Sequence, residues 1–244
     1  MKSIALIPAR YASTRFPAKL TADLCGKSVI QRTYLSTVAT GIFNQVIVVT
    51  DHSEIASHIE ELGGTVFFSQ KIHESGSDRI AEAAATLDAD VVVNVQGDEP
   101  FQDKTSLENL LEAFKDPEVQ VASLMFSIDT QQAEDPNAVK VVLDKAQNAL
   151  YFSRAKVPFA RDSKVAVNYF KHIGIYAYRK DVLIRFTQLD KSHLEQIEML
   201  EQLRLLENGI PIRMVETTHQ AIAVDVPEDL ELAKAYFRNY SDKI

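Results

Sequence analysis

The stretch SIALIPARYASTRFPAKL, residues 3–20, decides how the rest of the sequence is interpreted. Its first part, Ser3–Pro8, is short and almost continuously apolar, which predicts a buried β-strand. The part that follows places three cations, Arg10, Arg15 and Lys19, on one loop. Because ligands bind beyond the carboxyl ends of the strands in open α/β sheets, this loop is a candidate ligand site.

Three later stretches share the short, β-branched character of the first and are predicted strands: Gln45–Thr50, Thr65–Ser69 and Asp90–Gln96. Helical patterns lie between the strands or follow them: Ser28–Thr40, Ser53–Leu62 and Ser77–Leu87, the last with Ser77 as its N-cap. Alternation of this length predicts a parallel sheet with right-handed crossovers, and apolar strands predict helices on both of its faces.

The second half of the chain has a different pattern, with more strands and fewer helices. The predicted strands are Val121–Ile128, Ala138–Leu143, Ala149–Ser153 and Tyr169–Tyr178, and the predicted helices are Glu195–Glu207, ending near Gly209, and Pro227–Phe237. We therefore predict an α/β fold: a mostly parallel, Rossmann-like sheet flanked by helices, with an antiparallel insertion or flap in the second half. Residues 1–244 are expected to form one domain, with the insertion at about 121–215.

Composition excludes several classes of protein. A net charge of −8 argues against broad binding to nucleic acid or to an anionic membrane, since both require a basic surface. A single cysteine cannot form an internal disulfide, which favours a reducing compartment. No apolar run approaches the length of a membrane span or a signal segment, so we expect a cytoplasmic protein.

The basic loop allows two interpretations. Three cations and free backbone N–H groups suit a triphosphate, which carries several negative charges, but a solvated basic loop is equally compatible with the spacing. The loop has no glycine before Gly26, so neither the P-loop of ATPases nor the dinucleotide-binding motif is present.

Two acids end apolar runs at the expected ligand edge. Asp98 follows the turn residue Gly97, and Asp225 follows the run AIAV of residues 221–224, which is a possible strand. A carboxylate at a strand end can hold a hard cation, although either acid could simply form a turn. Ser75 and Arg79 lie at the start of a predicted helix, where N–H groups attract anions; this signal is weak on its own.

The second half offers its own candidates. Arg154 could bind a carboxylate through its guanidinium fork, and His172 and Tyr176, four residues apart, share one face of a strand. For a single histidine, a structural role is the usual alternative. Glu195, Glu198 and Gln202 follow one edge of the predicted helix, and this edge could equally be solvated.

Eight motifs, in order along nearly the whole chain, resemble the 3-deoxy-manno-octulosonate cytidylyltransferase family. They are IPARYASTRFPAKL (7–20), SGSDRIAE (75–82), NVQGDEP (94–100), PNAVKVVLD (136–144), ALYFSRA (149–155), HIGIYAYR (172–179), LEQIEMLEQLR (194–204) and VDVPEDLE (224–231). The resemblance implies a nucleotidyltransferase fold and transfer of CMP from CTP to the anomeric hydroxyl of an acidic eight-carbon sugar, with release of pyrophosphate.

The resemblance also implies a role for each matching residue. Triphosphate contacts fall on Arg10, Ser13, Arg15 and Lys19; nucleoside contacts on Ser75, Arg79 and Gln96; magnesium on Asp98 and Asp225; sugar contacts on Arg154, His172, Tyr176, Glu201 and Gln202. The catalytic set is Arg10, Lys19, Asp98 and Asp225. We further expect Arg154 and His172 to recognise the sugar carboxylate, and the insertion to bind sugar and to form a homodimer.

Three points keep alternatives open. The family often has glycine before the loop lysine, whereas this chain has Ala18, a stiffer residue that could move Lys19. The rival functions are a cytidylyltransferase for another acidic sugar such as a sialic acid, a nucleotide-dependent glycosyltransferase using Asp98 and Glu99, and a nucleotide sensor without turnover. Some relatives use an amino-substituted sugar, and the sequence does not distinguish the two forms.

Overall fold

A computed structural model describes residues 1–13, 15–162, 164–220 and 222–240; Thr14, inside the quoted loop, lies outside the described residues. The chain divides into two units. The first combines Met1–Lys104 with the segment that begins at residue 221, and the second is Thr105–Gln220. The second unit therefore begins before and ends after the insertion expected at about 121–215.

The strands are β1 (Ser3–Ala9), β2 (Gln45–Thr50), β3 (Thr65–Phe68), β4 (Val91–Asn94), β5 (Val121–Ile128), β6 (Lys140–Leu143), β7 (Ala149–Ser153), β8 (Tyr169–Arg179) and β9 (Ile212–Thr217). The α-helices are α1 (Val29–Ala39), α2 (Ser53–Glu60), α3 (Gly76–Thr86), α4 (Lys104–Glu112), α5 (Lys180–Phe186), α6 (His193–Glu198), α7 (Leu203–Glu207) and α8 (Pro227–Tyr240). Short 3-10 turns lie at Lys19–Thr21, Ala113–Lys115 and Gln132–Glu134.

The first unit contains the predicted parallel sheet. Its strands run in the order β3, β2, β1, β4, and every pair between neighbours is parallel. Val91, Val92 and Val93 of β4 are completely buried, as are Ile4 and Leu6 of β1. This burial is what near-continuous apolar strands predict for a sheet covered on both faces. The predicted α/β fold is confirmed.

The N-cap predicted for α3 is wrong by two residues. The cap is Ser75, whose side chain accepts from the N–H of Asp78 at 3.1 Å, while the Asp78 carboxylate accepts from the N–H of Ser75 at 3.1 Å. This reciprocal pair satisfies two N–H groups that the helix leaves open, which Ser77 inside the first turn cannot do.

The apolar run before Asp225 does not form a strand in residues 222–224. Instead, the N–H of Val224 donates to the Asp98 carbonyl at 2.9 Å, which ties this segment to the loop after β4. The Asp229 carboxylate then accepts from the N–H groups of Asp225 and Val226, at 2.9 and 3.0 Å, as α8 begins. Asp225 is therefore positioned by a helix start rather than by a strand end.

The second unit contains a mixed sheet. β8 pairs antiparallel with β5 and with β6, β6 pairs antiparallel with β7, and β9 pairs parallel with β5. The predicted strands in this half are present, but β9, α4 and α5 were not predicted. In β9 the buried Ile212 and Met214 alternate with the charged Arg213 and a partly exposed Val215, so the apolar run is too interrupted to stand out.

The single helix predicted at Glu195–Glu207 is wrong, because the chain breaks it into α6 and α7. Met199 ends α6 with a left-handed backbone, φ 54°, and is 76% exposed rather than part of an apolar face. Leu200 and Leu203, which follow it, are buried. The turn brings buried Arg204 back onto buried Glu195, where the guanidinium donates to both carboxylate oxygens. This charged, two-bond pair stabilises the interrupted conformation.

No helix in the described ranges is both long and apolar enough to cross a membrane.

Candidate active site

A cavity of about 340 Å³ lies in the first unit, beyond the carboxyl ends of β1 and β4. It is lined by all of the residues expected to contact the nucleotide or the metal: Arg10, Ser13, Arg15, Lys19, Ser75, Arg79, Gln96, Asp98 and Asp225. These residues come from four separate stretches of the sequence. Their roles as ligands stay predictions, but the fold does bring them together around one space.

The two acids meet at one cation. The Lys19 ammonium contacts an oxygen of Asp98, and it lies 3.0 Å from Asp225 Oδ1, while Arg15 Nη2 lies 3.2 Å from the same Asp225 oxygen. Burial lowers the pKa of Lys19, but the two carboxylates outweigh burial and leave that pKa raised. The cavity thus has a charged floor in which opposite charges are closely paired.

This donor set fits a magnesium ion. Two carboxylates that contact one ammonium lie close enough to share one cation. In the described residues no group of three or more His, Cys, Asp or Glu side chains could hold a metal by itself. Magnesium commonly completes its shell with phosphate and water, so two carboxylates suffice.

The loop before Lys19 has an unusual backbone. Ala18 adopts the left-handed conformation, φ 55° and ψ 27°, that glycine adopts without strain. Its carbonyl accepts from the N–H and the hydroxyl of Thr21, at 3.0 and 3.1 Å, which holds the turn. Alanine therefore takes the conformation expected of the usual glycine, and Lys19 still reaches both acids.

Two residues at the start of α3, Ser75 and Arg79, line one wall of the cavity, and among the described residues Arg79 has a donor that makes no hydrogen bond. The Ser75 hydroxyl already caps α3, so any nucleoside contact must share it. Arg79 is 6% exposed; its Nη2 donates to Asp51 at 3.0 Å, and its Nη1 has no hydrogen-bond partner in the described part of the chain. A buried guanidinium nitrogen without a partner at a cavity wall indicates a ligand acceptor.

The expected sugar residues lie in the second unit, where β6 runs between β7 and β8. Arg154 follows β7 and is held in place by Glu198. The Glu198 carboxylate accepts from the Arg154 N–H at 2.9 Å and from the Ser153 hydroxyl at 2.6 Å, and its carbonyl accepts from Arg154 Nε at 2.9 Å. Burial raises the pKa of Glu198, but these hydrogen bonds outweigh burial and lower it.

His172 and Tyr176 lie together on β8, with ring centroids 5.3 Å apart, and Phe152 meets the edge of His172 at 5.1 Å. Burial, followed by the charge of Lys171, lowers the pKa of His172 to about 3. Burial, with Tyr178 and Glu201 nearby, raises the pKa of Tyr176 well above its ordinary value. Both side chains are therefore neutral near pH 7.

The two remaining sugar candidates lie in the turn between α6 and α7. Gln202 is 8% exposed, and its Nε2 has no hydrogen-bond partner among residues that the structure describes. Glu201 is partly buried, 3.8 Å from Arg204 Nη2. A solvated acidic edge is thus not what the structure shows: Glu195 is buried on Arg204, and Glu198 holds the end of β7.

Comparison with known proteins agrees with this geometry. The Cytidylyltransferase family model matches residues 4–219. A 3-deoxy-manno-octulosonate cytidylyltransferase of Flavobacterium johnsoniae is 55% identical over 243 residues, covering 98% of this chain and 100% of the relative. One of Christiangramia forsetii is 50% identical over 235 residues, covering 95% of each chain. The chain belongs to the 3-deoxy-manno-octulosonate cytidylyltransferase family.

A solved structure gives the same result in three dimensions. It is a CMP:2-keto-3-deoxy-manno-octonic acid synthetase in complex with CTP, 40% identical to this chain, with a TM-score of 0.94 over 98% of this chain and 99% of the other. The family predicted from the motifs is confirmed, and the chain is a nucleotidyltransferase enzyme.

Two groups beside the cavity were not predicted. Tyr11 stacks on His52 with ring centroids 3.8 Å apart, next to Asp51, which pairs with Arg79. Asp51 and His52 follow the carboxyl end of β2, so the strand-end argument that selected Asp98 would also have selected them.

The second group is buried under the cavity wall. His73, which lines the cavity, lies 2.7 Å from the Glu82 carboxylate, and the Ser69 hydroxyl donates to the same carboxylate. Burial raises the pKa of Glu82, but these hydrogen bonds outweigh burial and lower it. No local pattern connects the three residues, because Ser69 and His73 lie in the segment between β3 and α3, whereas Glu82 lies in α3.

Proposed function

We propose that this enzyme transfers CMP from CTP to 3-deoxy-D-manno-octulosonate or a close variant such as the 8-amino sugar, forming the CMP-sugar used for lipopolysaccharide synthesis. The oxygen of the anomeric hydroxyl attacks the α-phosphorus of CTP. The bond from that phosphorus to the oxygen bridging the α- and β-phosphates breaks, pyrophosphate leaves, and the hydroxyl proton is lost to water.

One observation carries this proposal: a single cavity is lined by the cations Arg10, Arg15 and Lys19, by three acids that include Asp98 and Asp225, and by buried Arg79, whose Nη1 has no partner among the described residues. That set suits a nucleoside triphosphate with a metal ion, and the cavity belongs to a chain that is 55% identical to a cytidylyltransferase for this sugar. Phosphoryl-type transfer needs neutralised charge and in-line placement more than a covalent nucleophile.

The residues of the chain divide the work by charge. Arg10 is exposed at the cavity mouth and Arg15 lies beside Asp225, so both can meet phosphate oxygens. Arg79 Nη1 can donate to the nucleoside, and Asp51 fixes the direction of that guanidinium. In the second unit, Arg154 supplies the cation for the sugar carboxylate.

Magnesium is part of the proposal. Asp98 and Asp225 would hold the ion, which would offset charge on the α-phosphate and lower the pKa of the attacking hydroxyl. Lys19 would then have to give up one or both carboxylates, and its ammonium would become available to a phosphate.

The decisive experiment is a pyrophosphate-release screen of CTP, UTP, ATP and GTP against the octulosonate, its 8-amino form and a sialic acid, with and without magnesium. We expect turnover with CTP and an octulosonate, and only when magnesium is present. Turnover with a sialic acid alone would support the rival cytidylyltransferase. Transfer from a preformed nucleotide sugar would indicate a glycosyltransferase, and CTP binding without turnover would indicate a sensor.

We also propose a homodimer formed through the second unit. Several large apolar residues of that unit are exposed and would gain from cover: Leu150, Phe159, Val165, Ile197 and Met199. Sedimentation velocity at micromolar concentration should show twice the 27.3 kDa chain mass, and a single species at the chain mass would contradict this assembly.

A cytoplasmic location also stays a prediction, which cell fractionation would test.

A further inference from the structure

Ser123 of β5 lies against the strand that carries His172. Its side chain is completely buried, and its hydroxyl oxygen lies 3.1 Å from His172 Nε2. The same oxygen lies 3.1 Å from the carbonyl oxygen of Ile173 and 2.9 Å from that of Ile175. The pairing of β5 with β8 shifts register next to Ser123, which lets one hydroxyl reach both carbonyls.

Counting protons at this hydroxyl assigns the tautomer of the histidine. A serine hydroxyl has one proton to donate, and a carbonyl oxygen can only accept. If the proton pointed at His172, both carbonyl oxygens would face lone pairs of the hydroxyl at about 3 Å, which is repulsive. The proton therefore goes to a carbonyl, and His172 Nε2 must carry the hydrogen that the hydroxyl accepts.

The second ring nitrogen is then a bare acceptor. Nδ1 has no hydrogen-bond partner among the described residues, and His172 is a half-buried residue. The low pKa of His172, due first to burial and then to Lys171, keeps the ring neutral throughout the physiological range. A neutral ring with an Nδ1 lone pair can accept from a hydroxyl, but it cannot donate from Nδ1 to a carboxylate.

We propose that Ser123 is a positioning residue that holds His172 as the Nε2–H tautomer, so that Nδ1 accepts from a hydroxyl of the sugar. The ligand in this proposal rests on the proposed function, whereas the tautomer does not. It replaces the expectation that His172 helps to bind the sugar carboxylate, which a bare Nδ1 at neutral pH would repel.

The carboxylate is left to Arg154. Its Nε donates to the Glu198 carbonyl and its Nη1 to the Pro136 carbonyl at 3.2 Å. Within the described part of the chain, its Nη2 makes no hydrogen bond, so this nitrogen can meet an incoming carboxylate. The two residues then recognise different parts of one substrate: Arg154 an anion, and His172 a donor hydroxyl.

The tautomer can be measured on the free enzyme. Long-range ¹H–¹⁵N spectra of protein labelled at its six histidines report which ring nitrogen carries the proton, and the signals lost in His172→Gln assign the residue. We expect Nε2 protonated and Nδ1 bare, with no change between pH 5 and 8. A protonated Nδ1 in the wild type would overturn the proposal regardless of any activity.

Kinetics test the role of Ser123. Ser123→Ala should raise the KM for the sugar about tenfold and leave the KM for CTP unchanged, because only the sugar acceptor is released. Ser123→Thr keeps a hydroxyl and should restore the sugar KM and the Nε2–H signals. If Ser123→Ala keeps both the wild-type spectrum and the wild-type sugar KM, Ser123 does not position the ring.

A set of deoxy sugars identifies the partner of Nδ1. One sugar hydroxyl is proposed to donate to His172 Nδ1. Removing that hydroxyl should lower kcat/KM about tenfold in the wild type and leave kcat/KM of His172→Gln almost unchanged. If every deoxy sugar affects both enzymes equally, His172 does not accept from the sugar. If no acidic sugar reacts with the wild type, the proposed function fails while the spectra still decide the tautomer.

Discussion

The ammonium of Lys19 touches Asp98 and Asp225, so these two acids are the most direct test of the cavity. Asp98→Asn and Asp225→Asn keep the size of the side chain and remove its charge. Each should lower kcat about a thousandfold at saturating magnesium, because electrostatic help at the α-phosphate amounts to several kcal/mol of barrier, on the order of 4. Pyrophosphate release measures the rate.

The matched control for these variants is Asp88→Asn, which removes an exposed acid paired with Lys2 on the surface. It should keep the wild-type rate and melting temperature, since exposed ion pairs contribute little. If a folded Asp98→Asn or Asp225→Asn enzyme kept near-normal turnover, the two acids would be turn residues and the shared metal site would be wrong.

Ala18 provides a second prediction, about backbone conformation. Its left-handed φ suits glycine and costs a side chain roughly 1–2 kcal/mol. Ala18→Gly relieves that strain but loosens the unfolded chain by a similar amount, so stability and rate should change little. Ala18→Val adds a β-branch where it fits worst, and it should lower turnover about tenfold by moving Lys19.

Stopped assays at saturating CTP compare the turnover of the wild type, Ala18→Gly and Ala18→Val. Thermal melts show whether a slower variant is unfolded or is folded with a displaced loop. Equal rates in the valine and glycine variants would mean that the left-handed turn is not needed to place Lys19.

The sequence was enough to predict the position of some site residues but not of others. Asp98 follows a glycine at a strand end, which is a local signal, and the cavity does contain it. Asp225 was selected for the wrong local reason, since its position depends on a hydrogen bond from Val224 to Asp98 that joins distant segments. Ser123 has no local signal at all, because its significance comes from a register shift between β5 and β8.

At the scale of elements, β6 contributes a lysine where a strand facing the interior would normally carry an apolar side chain. Lys140 is completely buried, and its ammonium donates to the carbonyls of Asp135 and Arg154, at 2.9 and 2.6 Å. Burial lowers the pKa of this lysine. Lys140 therefore fastens the segment after β7 to the segment before β6.

Lys140→Met should remove these donors and leave two carbonyls without their bonds, lowering the free energy of unfolding by about 3 kcal/mol. The KM for the sugar should also rise, since Arg154 loses a backbone support, while the KM for CTP stays the same. Urea titration and steady-state kinetics measure the two effects. Lys145→Met, at an exposed turn, is the control, and an unchanged Lys140→Met enzyme would show that the carbonyls find other donors.

The elements that the sequence predicted poorly share a cause. The pattern from Glu195 to Glu207 is helical throughout, yet the chain interrupts it at Met199, because the Glu195 and Glu198 carboxylates have partners on Arg204 and at the end of β7. Helical periodicity describes which face is apolar, but it does not contain the positions of partners elsewhere in the fold. The first-unit strands had no such competition, and their predicted bounds agree with the structure to within a few residues.

At the scale of the whole molecule, the half-buried His172 should make stability depend on pH. Its pKa falls from 6.5 to about 3 in the folded protein, where Lys171 is the nearby charge and Ser123, Phe152 and Tyr176 are neutral. Between these values the unfolded chain takes up a proton that the folded protein refuses. The free energy of unfolding therefore loses nothing to this histidine above pH 6.5. As pH falls from 6.5 towards 3, it decreases by about 1.4 kcal/mol per pH unit.

From pH 7 to pH 5 the free energy of unfolding should therefore fall by about 2 kcal/mol more in the wild type than in His172→Gln, which has no ring to protonate. Urea unfolding at both pH values gives the two differences directly. Parallel losses in the two proteins would mean that His172 titrates normally when folded.

The first unit is assembled from two stretches that the second unit separates in the sequence. A ribosome makes Lys19 and Asp98 early, but it must complete the second unit, Thr105–Gln220, before it reaches Asp225. At roughly 5–20 residues per second, the nascent chain spends on the order of ten seconds with only half of the acid pair. Lys19 can neutralise Asp98 during that interval, so the growing chain lacks the complete acid pair until the second unit has been synthesised.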